Sequence, residues 1–259
     1  QVFKVGTFKS AVEPYIQDRM SDANREQTAS YLNDIWGHWL SNISKSRNIS
    51  VEQLNIYADE FLAFAEPKTI VDYKMVDTLM YAPQVEEYLK SLVDIESDKK
   101  LQFASVDNMT GVEFKEKANE DNTIAVLYAE GAIVDDASGA SPFMMGSTIT
   151  AKEYVKELQK LKDDKNVKAV VFRVNSPGGS AYASEQIWNA VEELKKVKPV
   201  VVSMGTYAAS GGYYISAGAN KIVAEPTTLT GSIGIFGLIP EGTELAKKMG
   251  VTFDEVKTN

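Results

Sequence analysis

Pro199-Val200-Val201-Val202-Ser203-Met204-Gly205-Thr206-Tyr207-Ala208-Ala209-Ser210-Gly211-Gly212-Tyr213-Tyr214 is the stretch on which the reading of the fold turns. Its β-branched start is a short, fully apolar run, which predicts a buried strand. Two alanines then lead into a serine that two glycines follow. This predicts a tight strand-to-helix turn with little bulk around the Ser210 hydroxyl. A helix starting there aims unpaired backbone N–H groups at any negative charge forming beside that hydroxyl. Taken alone, the segment fits two readings: an activated nucleophile, or a serine N-cap beside packing glycines.

Working outward, Lys168-Ala169-Val170-Val171-Phe172-Arg173-Val174 predicts a second buried strand. It ends in Asn175-Ser176-Pro177-Gly178-Gly179-Ser180, and a helical pattern with Ile187, Val191 and Leu194 follows. Paired glycines at such an edge free N–H groups for a ligand, and open α/β sheets place their sites there. A third glycine-rich strand end is Leu229-Thr230-Gly231-Ser232-Ile233-Gly234-Ile235-Phe236-Gly237. Three strand ends of one kind in quick succession point to a shared crevice.

A serine hydroxyl needs a base to take its proton. The chain has one histidine and no cysteine. His38 sits between Trp36 and Trp39 in a long helical pattern, which reads as a helix face, and the lack of cysteine excludes a thiol mechanism. A Ser-Lys dyad remains. Its lysine must be neutral when it acts, a fall of roughly 2–3 pH units from its ordinary value near 10.4. That fall corresponds to about 3–4 kcal/mol of disfavoured charge, obtained by desolvation. Spacing does not select the base from more than twenty lysines, most of them on charged helix faces such as Lys195-Lys196.

Val174–Ser180, Ala208–Tyr214 and Leu229–Gly234 resemble the motifs of the bacterial signal peptide peptidase A (protease IV) family. Val5-Gly6-Thr7-Phe8-Lys9-Ser10-Ala11-Val12-Glu13-Pro14 is similar to that family's lysine motif. The resemblance runs along nearly the whole chain and implies the long, two-repeat form, with the lysine from the first repeat and the serine from the second. Residue by residue, it implies Ser210 as nucleophile, Lys9 as general base and Ser232 as the hydroxyl orienting the lysine. It further implies an oxyanion hole at Gly178, Gly179 and Gly211, with the Gly179 and Gly211 N–H groups as donors and Gly178 shaping the turn. The fold implied is α/β of the crotonase-like (Clp protease-like) kind, with repeated ββα turns and an added helical segment. The reaction implied is endoproteolysis of remnant signal peptides or other extended apolar peptides, without cofactor or metal. The implied setting is the bacterial cell membrane, with the catalytic domain on the periplasmic or outer face, an N-terminal anchor upstream, and a homo-oligomer. Two other readings stand beside it: an acyl-CoA hydratase or isomerase of the same fold, and an inactive oligomerising scaffold.

Composition sets bounds. The 259 residues are 44% hydrophobic, enough for one large core or two smaller ones. A net charge of −9 argues against nucleic acid as partner, since phosphate binding wants a basic surface. No run of eighteen apolar residues occurs; the start does not read as a leader peptide, and the chain itself is expected to be soluble. Gln1 in place of an initiator methionine leads to the expectation of a processed piece of a longer chain.

The expected organisation has three parts. Residues 1–98 form the back part of repeat one, with a strand over residues 1–8 leading to Lys9 and helices starting at Ser21, at Ser50 and near Pro83. The aromatic residues there are expected in a core or a subunit contact. Residues 99–121 are a connection. Residues 122–259 form the front part of repeat two, starting at Thr123-Ile124-Ala125-Val126-Leu127-Tyr128, with a capping box at Thr150–Glu153 and helices outside a parallel sheet. The loop 135–146 fits a mobile flap or a plain surface loop equally well. A faint echo of residues 2–8 in residues 250–259 predicts a single-module core of unusual connectivity.

Overall fold

Helices dominate the first hundred residues. The computed structural model describes residues 4–109, 122–136, 147–237, 239 and 241–258. After a 3-10 turn at Glu13–Tyr15 come α1 (Asp22–Arg47), α2 (Val51–Asp59), α3 (Pro67–Asp72), α4 (Ala82–Leu92) and α5 (Val106–Met109). Ser21 caps α1 by accepting from the Asn24 N–H at 3.1 Å, and Ser50 caps α2 by accepting from the Gln53 N–H at 3.1 Å. Asn48, at φ 54°, ends α1 in the left-handed conformation that asparagine tolerates. Leu40, Ile49 and Leu54 bury a small core between α1 and α2. The aromatic residues of α1 do not join it: Trp36 donates to Asn55 on α2, and Trp39 is exposed. Residues 4–8 form a turn rather than the expected strand, because no described strand edge lies beside them to pair with. Residues 1–3 lie outside the described residues.

The α/β unit begins at Thr123 as expected. Its strands are β1 (Thr123–Glu130), β2 (Ala132–Val134), β3 (Thr148–Thr150), β4 (Val167–Ser176), β5 (Val200–Ala209), β6 (Lys221–Val223) and β7 (Leu229–Gly231). Its helices are α6 (Ala151–Asp163), α7 (Ala181–Lys195), α8 (Gly211–Ala217) and α9 (Thr243–Lys248). The main sheet runs β1-β4-β5-β6, with β7 paired to the far end of β5, and every pairing is parallel. Alternate residues of β4 and β5 (Val170, Phe172, Val174, Val200, Val202, Met204) point into one core with Leu158 of α6, Ile187, Val191 and Leu194 of α7, and Ile215 of α8. Burying each of these aliphatic or aromatic side chains stabilises the fold by about 1.5–3 kcal/mol. Thr150 caps α6 as predicted, accepting from the Glu153 N–H, and its hydroxyl in turn donates to the Glu153 carboxylate at 2.6 Å.

Among the described residues no helix layer covers the opposite face of the sheet. Ile124, Val126 and Tyr128 alternate there along edge strand β1, at 66%, 51% and 66% exposure. Parallel βαβ units were expected with helices outside; α6, α7 and α8 pack against one face.

Two irregularities shape the sheet edge that carries the glycines. Val174 of β4 pairs with Met204 of β5, but Ser176 pairs with Ala208. Two steps on β4 therefore match four on β5, a bulge that bends the end of β5. The Asn175 side chain fills it, accepting from the Tyr207 N–H at 3.1 Å and donating to Glu130 at 3.2 Å. The second irregularity is a two-stranded parallel sheet, β2-β3, tied to the loop after β4 by a bridge between Ile133 and Gly179. Residues 137–146, most of the loop read as a flap, lie outside the described residues, as do 110–121 of the connection.

Candidate active site

Ser210 stands between β5 and α8 at φ 53°, ψ −118°. A non-glycine residue in such a region costs of order 1–3 kcal/mol, and strain of this kind clusters at functional sites. Ser210 occupies the N-cap position, yet its hydroxyl makes no capping bond. The bland reading of the segment, a serine retained to cap the helix, therefore lacks its defining contact. The residue is held by its backbone: its N–H donates to the Gly231 carbonyl at 2.9 Å, and its carbonyl accepts from the Tyr214 N–H at 2.9 Å.

The glycines are required by close approach. Gly178 has φ 102°, and a Cβ there would fall 2.6 Å from the Gly211 nitrogen and 2.8 Å from Cβ of Ser210. A Cβ on Gly211 would meet the Ser184 hydroxyl at 2.5 Å and the Gly179 nitrogen at 3.2 Å. The loop after β4 thus lies directly against the serine turn. Buried Ser176 accepts from the Gly178 N–H at 3.1 Å, so that donor is occupied and Gly178 shapes the turn rather than offering its hydrogen. The N–H groups of Gly179 and Gly211 make no hydrogen bond to the described residues. They lie beside each other at the serine, the arrangement an oxyanion requires.

Lys9 reaches the same region from the other end of the chain. Its Nζ donates to the Ile233 carbonyl at 2.5 Å, across 224 positions. A Cβ on Gly234 would lie 3.2 Å from that nitrogen. The Ile233 turn follows directly on Gly231, whose carbonyl accepts the Ser210 N–H. One turn therefore holds the Ser210 backbone on one side and the Lys9 amine on the other. The amine was expected against the Ser232 hydroxyl; its bond goes to the next residue's carbonyl, and Ser232 is an exposed residue at φ 50°. Lys9 was also expected to be desolvated, but in the single chain it is exposed. His38 is bonded to Asn42, one turn further along α1.

Sequence reasoning missed Asn175 and Ser176 as supports of the site. Both lie in the quoted Asn-Ser-Pro-Gly-Gly motif, but their partners are set by the bulge and by a turn, which leave no pattern in the residues. Among the described residues no group of three or more His, Cys, Asp or Glu could hold a metal ion.

Fold and site define a class: α/β proteins in which a serine on a strained strand-to-helix turn faces paired glycine amides, approached by a lysine from another part of the chain. Sequence comparisons make this specific. The family model for "Peptidase family S49" matches residues 1–96 and 192–259, and the chain belongs to that family. Protease 4 of Salmonella typhi is 41% identical over 266 residues, covering 100% of this chain and 42% of that protein. The chloroplastic serine protease SPPA of Arabidopsis thaliana is 32% identical over 237 residues, covering 91% of this chain and 34% of the relative. A mutant of the 1510-N membrane-bound stomatin-specific protease superposes with a TM-score of 0.36 at 21% identity, over 50% of this chain and 59% of its own. The chain thus spans less than half the length of these two curated relatives. No helix among the described residues is long and apolar enough to cross a membrane.

Proposed function

We propose that the chain carries the catalytic dyad of a serine endopeptidase, with Ser210 as nucleophile and Lys9 as general base. The observation that carries this reading is the convergence on one turn: the Gly231 carbonyl takes the Ser210 N–H, and two residues on the Ile233 carbonyl takes the Lys9 amine. Membership of peptidase family S49 supports it and weighs against the hydratase reading.

The chemistry runs in two halves. Neutral Lys9 accepts the Ser210 proton as Oγ bonds to the peptide carbonyl carbon. The carbonyl oxygen becomes an oxyanion that accepts from the Gly179 and Gly211 N–H groups; one such donor is worth about 3–4 kcal/mol in other hydrolases. The protonated lysine then gives its proton to the amide nitrogen, the C–N bond breaks, and an acyl ester remains on Ser210. Water, deprotonated by Lys9, attacks the ester; the acid leaves and Ser210 recovers its proton. Ser232 contributes through the turn that carries Ile233 and Gly234. No step calls on a metal or cofactor.

The substrates are extended apolar peptides, remnant signal peptides among them, and the protein works at the membrane as a homo-oligomer. The exposed sheet face of β1 and the exposed Lys9 support the assembly, since both gain by being covered. The test is labelling with a fluorophosphonate. The adduct should map to Ser210 and vanish in Ser210→Ala and Lys9→Ala. Rapid labelling of Lys9→Ala would exclude Lys9 as the base.

A further inference from the structure

Glu13 is buried, at 4% exposure, and the dyad chemistry gives it no role. It lies four residues after Lys9, in the 3-10 turn that ends the lysine loop. Its carboxylate accepts three hydrogen bonds, all from the first turn of α1: the Ser21 hydroxyl at 2.6 Å, the Ser21 N–H at 3.2 Å and the Asn24 side-chain amide at 3.0 Å. No ion pair among the described residues involves it; neutral donors do most to hold the charge, and Lys4 adds a smaller attraction. These bonds, led by the Ser21 hydroxyl, hold its pKa below the usual carboxylate range. The same helix reaches back to the residue after Lys9, where the Gln27 side-chain amide donates to the Ser10 hydroxyl at 2.8 Å. Backbone bonding closes the loop, with the Glu13 N–H on the Ser10 carbonyl at 3.0 Å.

This matters because little else holds Lys9. Residues 4–8 are not in a strand, and none of residues 4–20 belongs to either hydrophobic core. Among the described residues the side chain's polar contact is the single bond to Ile233. A base must sit within hydrogen-bond reach of the proton it takes, and a loop outside both cores carrying one exposed amine does not secure that. Fastening the loop to the end of the 26-residue helix α1 restricts the positions that its lysine can take. Hydrogen bonds to an ionised carboxylate are about twice as strong as neutral ones, which favours glutamate over an amide at this point.

We propose that Glu13 is a positioning residue: its carboxylate clamps the lysine loop to the N-terminal turn of α1 and so sets where the Lys9 amine meets the serine turn. The inference rests on the reading of Lys9 as base.

The test is saturation kinetics of fluorophosphonate labelling of Ser210 in the full chain, giving a maximal rate and a half-saturating concentration. Glu13→Gln is expected to lower the maximal rate about 10²-fold, the effect of a misplacement near 1 Å, with half-saturation unchanged and the melt still cooperative. Ser21→Gly keeps a residue accepted at helix N-caps and deletes the 2.6 Å bond; it should lower the rate in the same way by a smaller factor. Lys9→Ala is the control. If Lys9→Ala is slow while Glu13→Gln labels at the normal rate, the clamp is refuted and the dyad stands. If Lys9→Ala labels normally, the dyad itself fails and the clamp with it. A Glu13→Gln chain that loses its cooperative melt, or whose half-saturation rises at unchanged maximal rate, shows a structural role only and also overturns the proposal.

Discussion

At the scale of single residues, the site depends on atoms that no larger group could replace. Gly178 illustrates this. Ala at this position would carry a methyl 2.6 Å from the Gly211 nitrogen, at a φ of 102°. Gly178→Ala should therefore displace the serine turn, destabilise the protein by about 1–3 kcal/mol and abolish Ser210 labelling; chemical denaturation and the fluorophosphonate adduct check the two halves separately. Lys9→Arg should be as inactive as Lys9→Ala, because arginine stays charged; turnover of an apolar peptide by that variant would refute the dyad. Glu13 gives a pH dependence with a definite sign. Its folded pKa is lowered, so its contribution is present above the ordinary carboxylate range and is lost as pH falls through the lowered value. Exchange of the Ser21 amide hydrogen should accelerate only on that acid side, and Glu13→Gln should remove the step.

At the scale of elements, β5 does most to create the site, and its bulge is what aims it. Thr228 donates its hydroxyl to the Gly205 carbonyl at 2.8 Å and Thr230 to the Ala208 carbonyl at 2.7 Å, so β7 braces the bent strand end from one side while Asn175 fills it from the other. Asn175→Ala removes the acceptor for the Tyr207 N–H. It should cost about 1 kcal/mol of stability and a larger share of activity, since the strand end it supports carries Ser210; equilibrium unfolding against labelling rate separates the two. The strands and helices around this point were legible in the residues. β4 and β5 are short β-branched runs, α6 opens on Thr150-x-x-Glu153, and α1 and α2 open on Ser21 and Ser50. These signals are local, and the capping bonds that realise them each span three residues. The bulge was not legible, because it is a mismatch between strands about thirty residues apart. Residues 4–8 depart from the strand expected before Lys9 for the same reason: a strand needs a neighbour, and a neighbour lies elsewhere along the chain.

At the scale of the whole molecule, the sheet has two unlike faces. Helices bury one, while Ile124, Val126 and Tyr128 stand on the other. Val126→Lys should leave the melt of the isolated chain within about 0.5 kcal/mol of the parent, as exposed substitutions do. Val170→Lys, at a position 1% exposed, should abolish folding by burying an unpaired charge. Circular dichroism of the two variants decides it. Comparable losses would mean that both faces are packed.

By itself the sequence determined the fold class and the class of chemistry, and it proposed the principal actors: a serine between a β-branched strand and paired glycines and, through family resemblance, a lysine near the opposite end. Side-chain periodicity, capping and turn preferences act over a few residues, so they are written in order along the chain. Only the tertiary structure decided that the Lys9 amine bonds to the Ile233 carbonyl rather than to Ser232, that Asn175 braces the strand end, and that a buried Glu13 ties the lysine loop to its helix. Each of these is a contact between backbone and side-chain atoms set by close approach in space, at ranges of 2.5–3.2 Å. Spacing along the chain carries no record of such distances.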